Sequence, residues 1–227
     1  MKRRDFSLTL GAALTGTVLF DSSALAQGKS PEAGTDYQVR AKPAMVEAPA
    51  GKIEVVEFFG YFCPHCSHFE PTFEAWRKRV PKDVAVRRVP VAFNDAAVPQ
   101  QRLFYSLEAM GLVERLHATV FAAIHVEKID LTRGDAIADW VAKQGVDKTK
   151  FLEHYNSFNT NTKVTRATQL QSAYRIEGVP TVGVAGRFWA QGGPDRALQV
   201  TDFLIALVRS GKLGLAAVAR LTASSFS

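Results

Sequence analysis

Cysteine is nearly missing from this chain: 227 residues hold two, Cys63 and Cys66, inside one four-residue window. A disulfide-stapled scaffold needs several pairs in a much shorter chain. Structural zinc with the usual four ligands needs a second ligand pair, which cysteine cannot supply here. Long apolar runs are lacking too: after residue 26 no stretch approaches the roughly 18 apolar residues of a membrane-spanning helix. There is no internal repeat and no low-complexity tract. What is present is ordinary for a globular protein, 47% hydrophobic, 22% charged and 10% aromatic, which excludes disorder and fibrous repeats. The length suits one domain, or one domain with a large insertion.

The formal net charge of +6 hints at nucleic acid, but part of it sits in an export signal. Lys2, Arg3 and Arg4 form a basic start, Leu8 to Phe20 runs without charge, and Ala24-Leu25-Ala26 has the small-x-small pattern of a signal peptidase site. A buried N-terminal helix is the other reading of this run. Arg3-Arg4-Asp5-Phe6 also resembles a twin-arginine signal, so the general secretory and twin-arginine routes both fit. Cleavage after Ala26 removes a net +1 and leaves about +5. The short basic runs Arg77-Lys78-Arg79 and Arg87-Arg88 read as solvated faces, so no nucleic-acid partner is expected.

Along the mature chain, 27 to about 35 reads as a loose polar leader. Ile53–Phe59 is rich in β-branched and aromatic residues and is the first predicted strand. Phe69, Phe73, Trp76 and Val80 give helical spacing from Cys63 to about Val80, with Pro71 as a kink inside it. Val84–Val91 reads as a strand. From Asn94 to about Ile176 only helices are predicted: Gln100–Met110, Val113–Val126, Arg133–Lys143, Lys148–Asn156 and Thr162–Tyr174, the last two separated by the polar run Ser157–Asn161. Strands return at Thr181–Val184 and Phe188–Ala190 around a hairpin turn, and a final helix covers Val200 to Val208, with Thr201 or Pro194-Asp195 near its start and Gly211 closing it. The order βαβ, helices, ββα describes an α/β sheet domain interrupted by an all-helical insertion.

Cys63-Pro64-His65-Cys66 ends a predicted strand and opens a predicted helix. A cysteine in the first helical turn faces unpaired backbone N–H groups and the positive end of the dipole, which favour its thiolate. Cys63 is therefore the candidate exposed nucleophile. Cys66, one turn on, can close a small disulfide ring and is expected to be more buried. Pro64 occupies a position where a missing N–H costs little, and His65 adds a donor or partial charge beside Cys63. Stabilising the thiolate-bearing reduced state makes the disulfide a stronger oxidant. Two other readings are a structural disulfide and a metal pair. Cys63, His65, Cys66 and His68 share one tight turn and are hard to aim at one tetrahedral centre, so no metal is expected. Haem attachment needs histidine directly after the second cysteine, where Ser67 stands.

Phe58-Phe59-Gly60-Tyr61-Phe62-Cys63-Pro64-His65-Cys66, followed by Phe69-Glu70, resembles the active-site segment of the DsbA-type thiol–disulfide oxidoreductases of the thioredoxin superfamily. Gly178-Val179-Pro180-Thr181 resembles that family's cis-proline loop. The 114 positions between Cys66 and Pro180 exceed plain thioredoxin and match the helical insertion of the DsbA branch. The resemblance implies a thioredoxin fold with an inserted all-helical domain: residues 37–93 plus 177–212 as the thioredoxin-like part, 94–176 as the insertion, and 1–26 as the signal peptide.

It also implies residue roles. Pro180 would sit beside the dithiol, with Val179 and Thr181 contributing to substrate binding. Glu57 matches a buried acid beneath the disulfide that can accept the proton Cys66 must lose; strand alternation could instead turn it to solvent. Arg88 matches a strand position where relatives often carry lysine, and arginine is a poor proton relay. His68, at helical spacing from Cys63, has a near-site reading beside a solvated or core one; His117, His125 and His154 have solvated or core readings, and Phe62 and its aromatic neighbours are expected in the core or facing apolar substrate segments. The implied activity is a periplasmic disulfide oxidase that needs no dissociable cofactor. It would oxidise newly exported proteins and be reoxidised by a DsbB-type quinone-linked membrane partner. The alternatives are a reductase or isomerase on the same fold, and a non-catalytic metal- or peptide-binding protein. With only residues 27–52 before the first predicted strand, there is no room for a dimerisation domain, and a monomer is expected.

Overall fold

The computed structural model describes residues 30–190 and 192–211; the export-signal reading lies outside them. Its strands are β1 (Tyr37–Val39), β2 (Ile53–Phe59), β3 (Val84–Pro90), β4 (Thr181–Val184) and β5 (Phe188–Ala190). Its helices are α1 (Pro64–Arg77), α2 (Val98–Ala109), α3 (Val113–His125), α4 (Gly134–Lys143), α5 (Lys148–Tyr155), α6 (Phe158–Tyr174) and α7 (Pro194–Arg209).

One mixed sheet runs β1-β5-β4-β2-β3. β2 and β3 are parallel, which requires a crossover, and α1 is that crossover. β4 lies antiparallel on the other side of β2 and pairs with β5 through a hairpin. Ala185 and Gly186 take positive φ in that turn, and a Cβ on Gly186 would stand 2.4 Å from the Ala44 carbonyl oxygen. Helices α2 to α6 all fall between β3 and β4.

Alternation along β2 serves both sheet faces. Val55 joins Phe69, Phe73 and Trp76 of α1 and Leu204 of α7 in one core, while Val56 and Phe58 join the other, which continues into the helical block through Phe104, Phe121 and Tyr174. A glutamate lies buried on each face, Glu54 with Arg87 and Glu57 with Arg88.

Three expectations are corrected. β1 precedes the strand taken as first; three residues carry no periodicity, and β1 exists through its antiparallel pairing with β5, where Tyr37 packs edge-on against Phe188. α6 starts inside the polar run read as a separator, because the Ser157 hydroxyl accepts the Thr160 N–H and caps the helix there. The Val200 bound of the last helix gives way to Pro194, the earlier of the two starts that the sequence offered and a residue suited to a first helical position.

Candidate functional site

The dithiol stands where β2 gives way to α1. The chain turns at Gly60, where a Cβ would collide with the Phe62 ring at 2.4 Å, and the Cys63 N–H donates to the Gly60 carbonyl at 3.0 Å. Cys63 is the N-cap of α1, extended at φ −91° and ψ 117°, and Pro64 is the first helical residue. Its sulfur therefore meets the unpaired N–H groups of the first turn. Both cysteines are free thiols; Cys66 is fully buried and Cys63 nearly so.

These surroundings split the two thiols. A hydrogen bond from Cys66 lowers the Cys63 pKa most, burial opposes it, and the backbone N–H groups of Cys66 and His65 and the His65 charge add to the lowering, leaving it at about 6. The same bond, then burial, pushes Cys66 far upward. At neutral pH the pair is a Cys63 thiolate next to a Cys66 thiol.

The loop Gly178–Thr181 closes over this pair. The Val179–Pro180 peptide is cis, and the Val179 carbonyl lies 3.4 Å from Cys63 Sγ, able to accept its hydrogen only when Cys63 is protonated. Thr181 is buried, and its hydroxyl donates inward to the Gly178 carbonyl at 2.7 Å. That hydrogen bond shapes the loop. A cavity of about 390 Å³ opens beside the loop, lined by His65, His68, Phe69, Val179 and Pro180 among others. Near it Phe62 and Phe93 remain 38% and 44% exposed, rings 6.2 Å apart. His68, which its helical spacing from Cys63 could bring near the site, lines this cavity.

Beneath the dithiol lies a buried charge cluster. Arg88 Nε donates to Glu57 at 3.0 Å, and its Nη2 serves Glu70 at 2.7 Å and also Glu74. Glu57 faces inward, so the solvent-facing alternative is excluded. Burial pushes its pKa up to about 8 against the pull of Arg88, and Glu70 is pushed up to about 7 for the same reason. For Glu74 burial opposes ionisation, but hydrogen bonds from Arg77 and Arg88 overcome it and hold the pKa at about 2. The Glu57 charge in turn raises Cys66. Two of three carboxyls around one guanidinium thus titrate near neutrality, a proton store next to the buried thiol.

Cys63, Pro64, His65, Val179 and Pro180 lie together, with the buried Cys66 and Glu57 below them. Sequence reasoning gave no role to Glu70, one turn after Cys66, or to His117 of α3, which is buried against it at 3.3 Å. The signal for Glu70 was its helical spacing from Cys66. His117 carried none tied to the dithiol.

Comparison with known proteins follows this geometry closely. Residues 54–198 match the model of the DSBA-like thioredoxin domain. The chain is 45% identical over 195 residues to the thiol:disulfide interchange protein DsbA of Burkholderia cepacia, covering 84% of this chain and 92% of that one. It is 41% identical over 212 residues to the DsbA of Azotobacter vinelandii, covering 90% and 99%. The crystal structure of Pseudomonas aeruginosa DsbA superposes with a TM-score of 0.77 at 40% identity, covering 80% of this chain and 96% of that one.

Proposed function

This chain belongs to the DsbA family of thioredoxin-fold thiol–disulfide oxidoreductases, and from that premise we propose that it oxidises newly exported proteins with a Cys63–Cys66 disulfide. A substrate thiolate attacks Cys63 Sγ, the Cys63–Cys66 bond breaks, and its electron pair goes to Cys66, leaving a mixed disulfide. A proton then settles on Cys66, whose thiol form is strongly favoured; Glu57, half protonated near pH 8, is placed to supply it. A second substrate thiolate attacks the substrate sulfur of the mixed disulfide and expels Cys63 as thiolate. The substrate loses two electrons and two protons; the enzyme takes both electrons and one proton, as a Cys63 thiolate beside a Cys66 thiol, and the other proton goes to solvent.

The observation that carries this reading is Cys63 as helix N-cap with a pKa of about 6. A low-pKa thiolate is a good leaving group and stabilises the reduced enzyme, which makes the disulfide oxidising. The Val179 backbone, the cavity by Pro180 and the exposed Phe62–Phe93 pair suit an extended, apolar substrate segment. His65 and Pro64 tune and shape the thiolate turn. No dissociable cofactor enters the cycle.

The same reading extends to cell biology and organisation. Export on residues 1–26 with cleavage after Ala26 places the mature protein in the periplasm as a monomer, reoxidised by a DsbB-type membrane partner. No helix among the described residues is long and apolar enough to cross a membrane. Residues 37–93 with 177–212 form the thioredoxin-like part and 94–176 the insertion, a division that the element order favours. The test is the reduction potential of the mature form. A value far above the roughly −270 mV of thioredoxin is expected, and a thioredoxin-like value would make it a reductase. Cys63→Ala must abolish disulfide transfer; retained activity would end the reading of Cys63 as the reacting thiol.

A further inference from the structure

Tyr61 stands two residues before Cys63 and is fully buried. Three residues of α3 hold it: His117, Phe121 and His125, spaced four apart so that they share one helix face. His117 Nδ1 lies 2.7 Å from the Tyr61 hydroxyl. The Phe121 ring meets the Tyr61 ring edge-on at 5.0 Å. His125 Nε2 donates to the Tyr61 carbonyl at 2.8 Å. One stripe of α3 thus grips Tyr61 from hydroxyl to backbone.

The far side of His117 faces α1. Its Nε2 stands 3.3 Å from Glu70 Oε2, a close approach in which neither atom makes a hydrogen bond among the described residues. His117 is 3% exposed, and burial followed by the nearby Arg88 holds its pKa well below the usual value, so the ring is neutral. A neutral imidazole offers one donor and one acceptor. With the Tyr61 hydroxyl donating to Nδ1, the Nε2–H is left beside the Glu70 carboxyl, close to it but not hydrogen-bonded. Phe59, Phe104 and Phe121 surround the ring at 5.0 to 5.9 Å. An apolar ring would fill that box without the desolvation penalty of a buried imidazole, so filling space does not account for His117.

We propose that His117 is a positioning residue for disulfide exchange: through the Tyr61 hydroxyl and Glu70 it docks the helical block onto both segments flanking the dithiol and holds Cys63 at the start of α1. It touches neither sulfur. Tyr61 lies mid-loop between Gly60, whose carbonyl accepts the Cys63 N–H, and Cys63 itself. Releasing Tyr61 frees that loop, and the Cys63 sulfur draws away from the backbone N–H groups of His65 and Cys66 that favour its thiolate. The proposal rests on Cys63 being the reacting thiol, which Cys63→Ala tests independently.

The experiment compares His117→Phe, Tyr61→Phe and the double variant in the full mature protein; each keeps a ring in place. The readouts are the Cys63 thiolate titration at 240 nm and the equilibrium constant against glutathione, with melting curves of both redox forms. Each single variant is expected to raise the Cys63 titration midpoint and weaken the oxidising equilibrium about 3- to 10-fold, the scale of one buried hydrogen bond. The double variant should add little to either single, since both remove the same bond. His117→Asn, which keeps a polar group towards Tyr61, should recover part of the loss. Unchanged titration and equilibrium with lowered melting in both redox forms would overturn the proposal, as would additive effects in the double variant. If His117→Phe fails to fold, Tyr61→Phe decides by the same two readouts.

Discussion

Replacing Glu57 by Gln isolates the cost of holding a carboxylate beneath the dithiol. Glu57 is 1% exposed and accepts one hydrogen bond from Arg88 at 3.0 Å, a guanidinium it shares with Glu70 and Glu74. Burial outweighs that help and lifts its pKa from 4.5 to about 8. A carboxyl with a raised folded pKa binds its proton more tightly in the folded state. Its stabilising effect is therefore complete below about pH 4.5 and is lost as pH rises through about 8. At about 1.4 kcal/mol per tenfold change in proton affinity, the loss between pH 5 and pH 8 is on the order of 3 kcal/mol. Gln cannot ionise and escapes that loss, while Arg88 keeps its two other carboxylates. Reduced Glu57→Gln should melt close to the parent at pH 5 and higher at pH 8, by roughly 6–10 °C for a chain of this size. Scanning calorimetry of both reduced proteins at several pH values between these limits reads the difference directly. A difference that stays flat across the range, or a variant that melts lower at pH 8, refutes the reasoning and shows that Arg88 keeps Glu57 ionised at little cost.

His65→Ala removes a charge that favours the Cys63 thiolate but keeps the backbone N–H, so the 240 nm titration midpoint should rise from about 6 by less than about one pH unit. A midpoint unchanged or lowered would remove His65 from the site. Arg88→Met leaves the buried Glu57 and Glu70 and the half-buried Glu74 without their shared cation and should cost about 3–5 kcal/mol in denaturant unfolding at pH 7. The cost should shrink at pH 5, where Glu57 and Glu70 are protonated; equal costs at both pH values would contradict the cluster's assigned charge. Gly183→Ala puts a Cβ 2.7 Å from Tyr174 Cε1 and 3.2 Å from Phe58 Cε2 and should lower stability by about 1–3 kcal/mol while leaving the Cys63 titration in place.

The parts legible before the structure are those whose causes lie close together in the chain. β2, β4 and β5 run where their β-branched and aromatic residues place them. α6 was less legible at its start because one hydroxyl cap at Ser157 outranks hydrophobic spacing, and the start of α7 stayed open between Pro194 and Thr201 because start signals stand at both. Of the site, Glu57 was visible as a candidate, but its inward orientation was open, since a strand with apolar residues on both faces has no polar face to settle it. His117 and its Tyr61 partner are 56 positions apart, and no local pattern joins them.

By itself the sequence determined the thiolate turn: a strand ending in Cys63, then Pro64 at the first helical position, puts one sulfur at a helix N-terminus because capping depends on the backbone of a few adjacent residues. Only the tertiary structure decided how that sulfur is surrounded. It brings the Val179 carbonyl to Cys63 across 116 positions, turns Thr181 inward, and gathers Glu57, Glu70 and Glu74 around Arg88. Desolvation is set by whatever packs against a group, and here those neighbours come from β2, β3, α1 and α3, segments that meet only when the whole chain has folded.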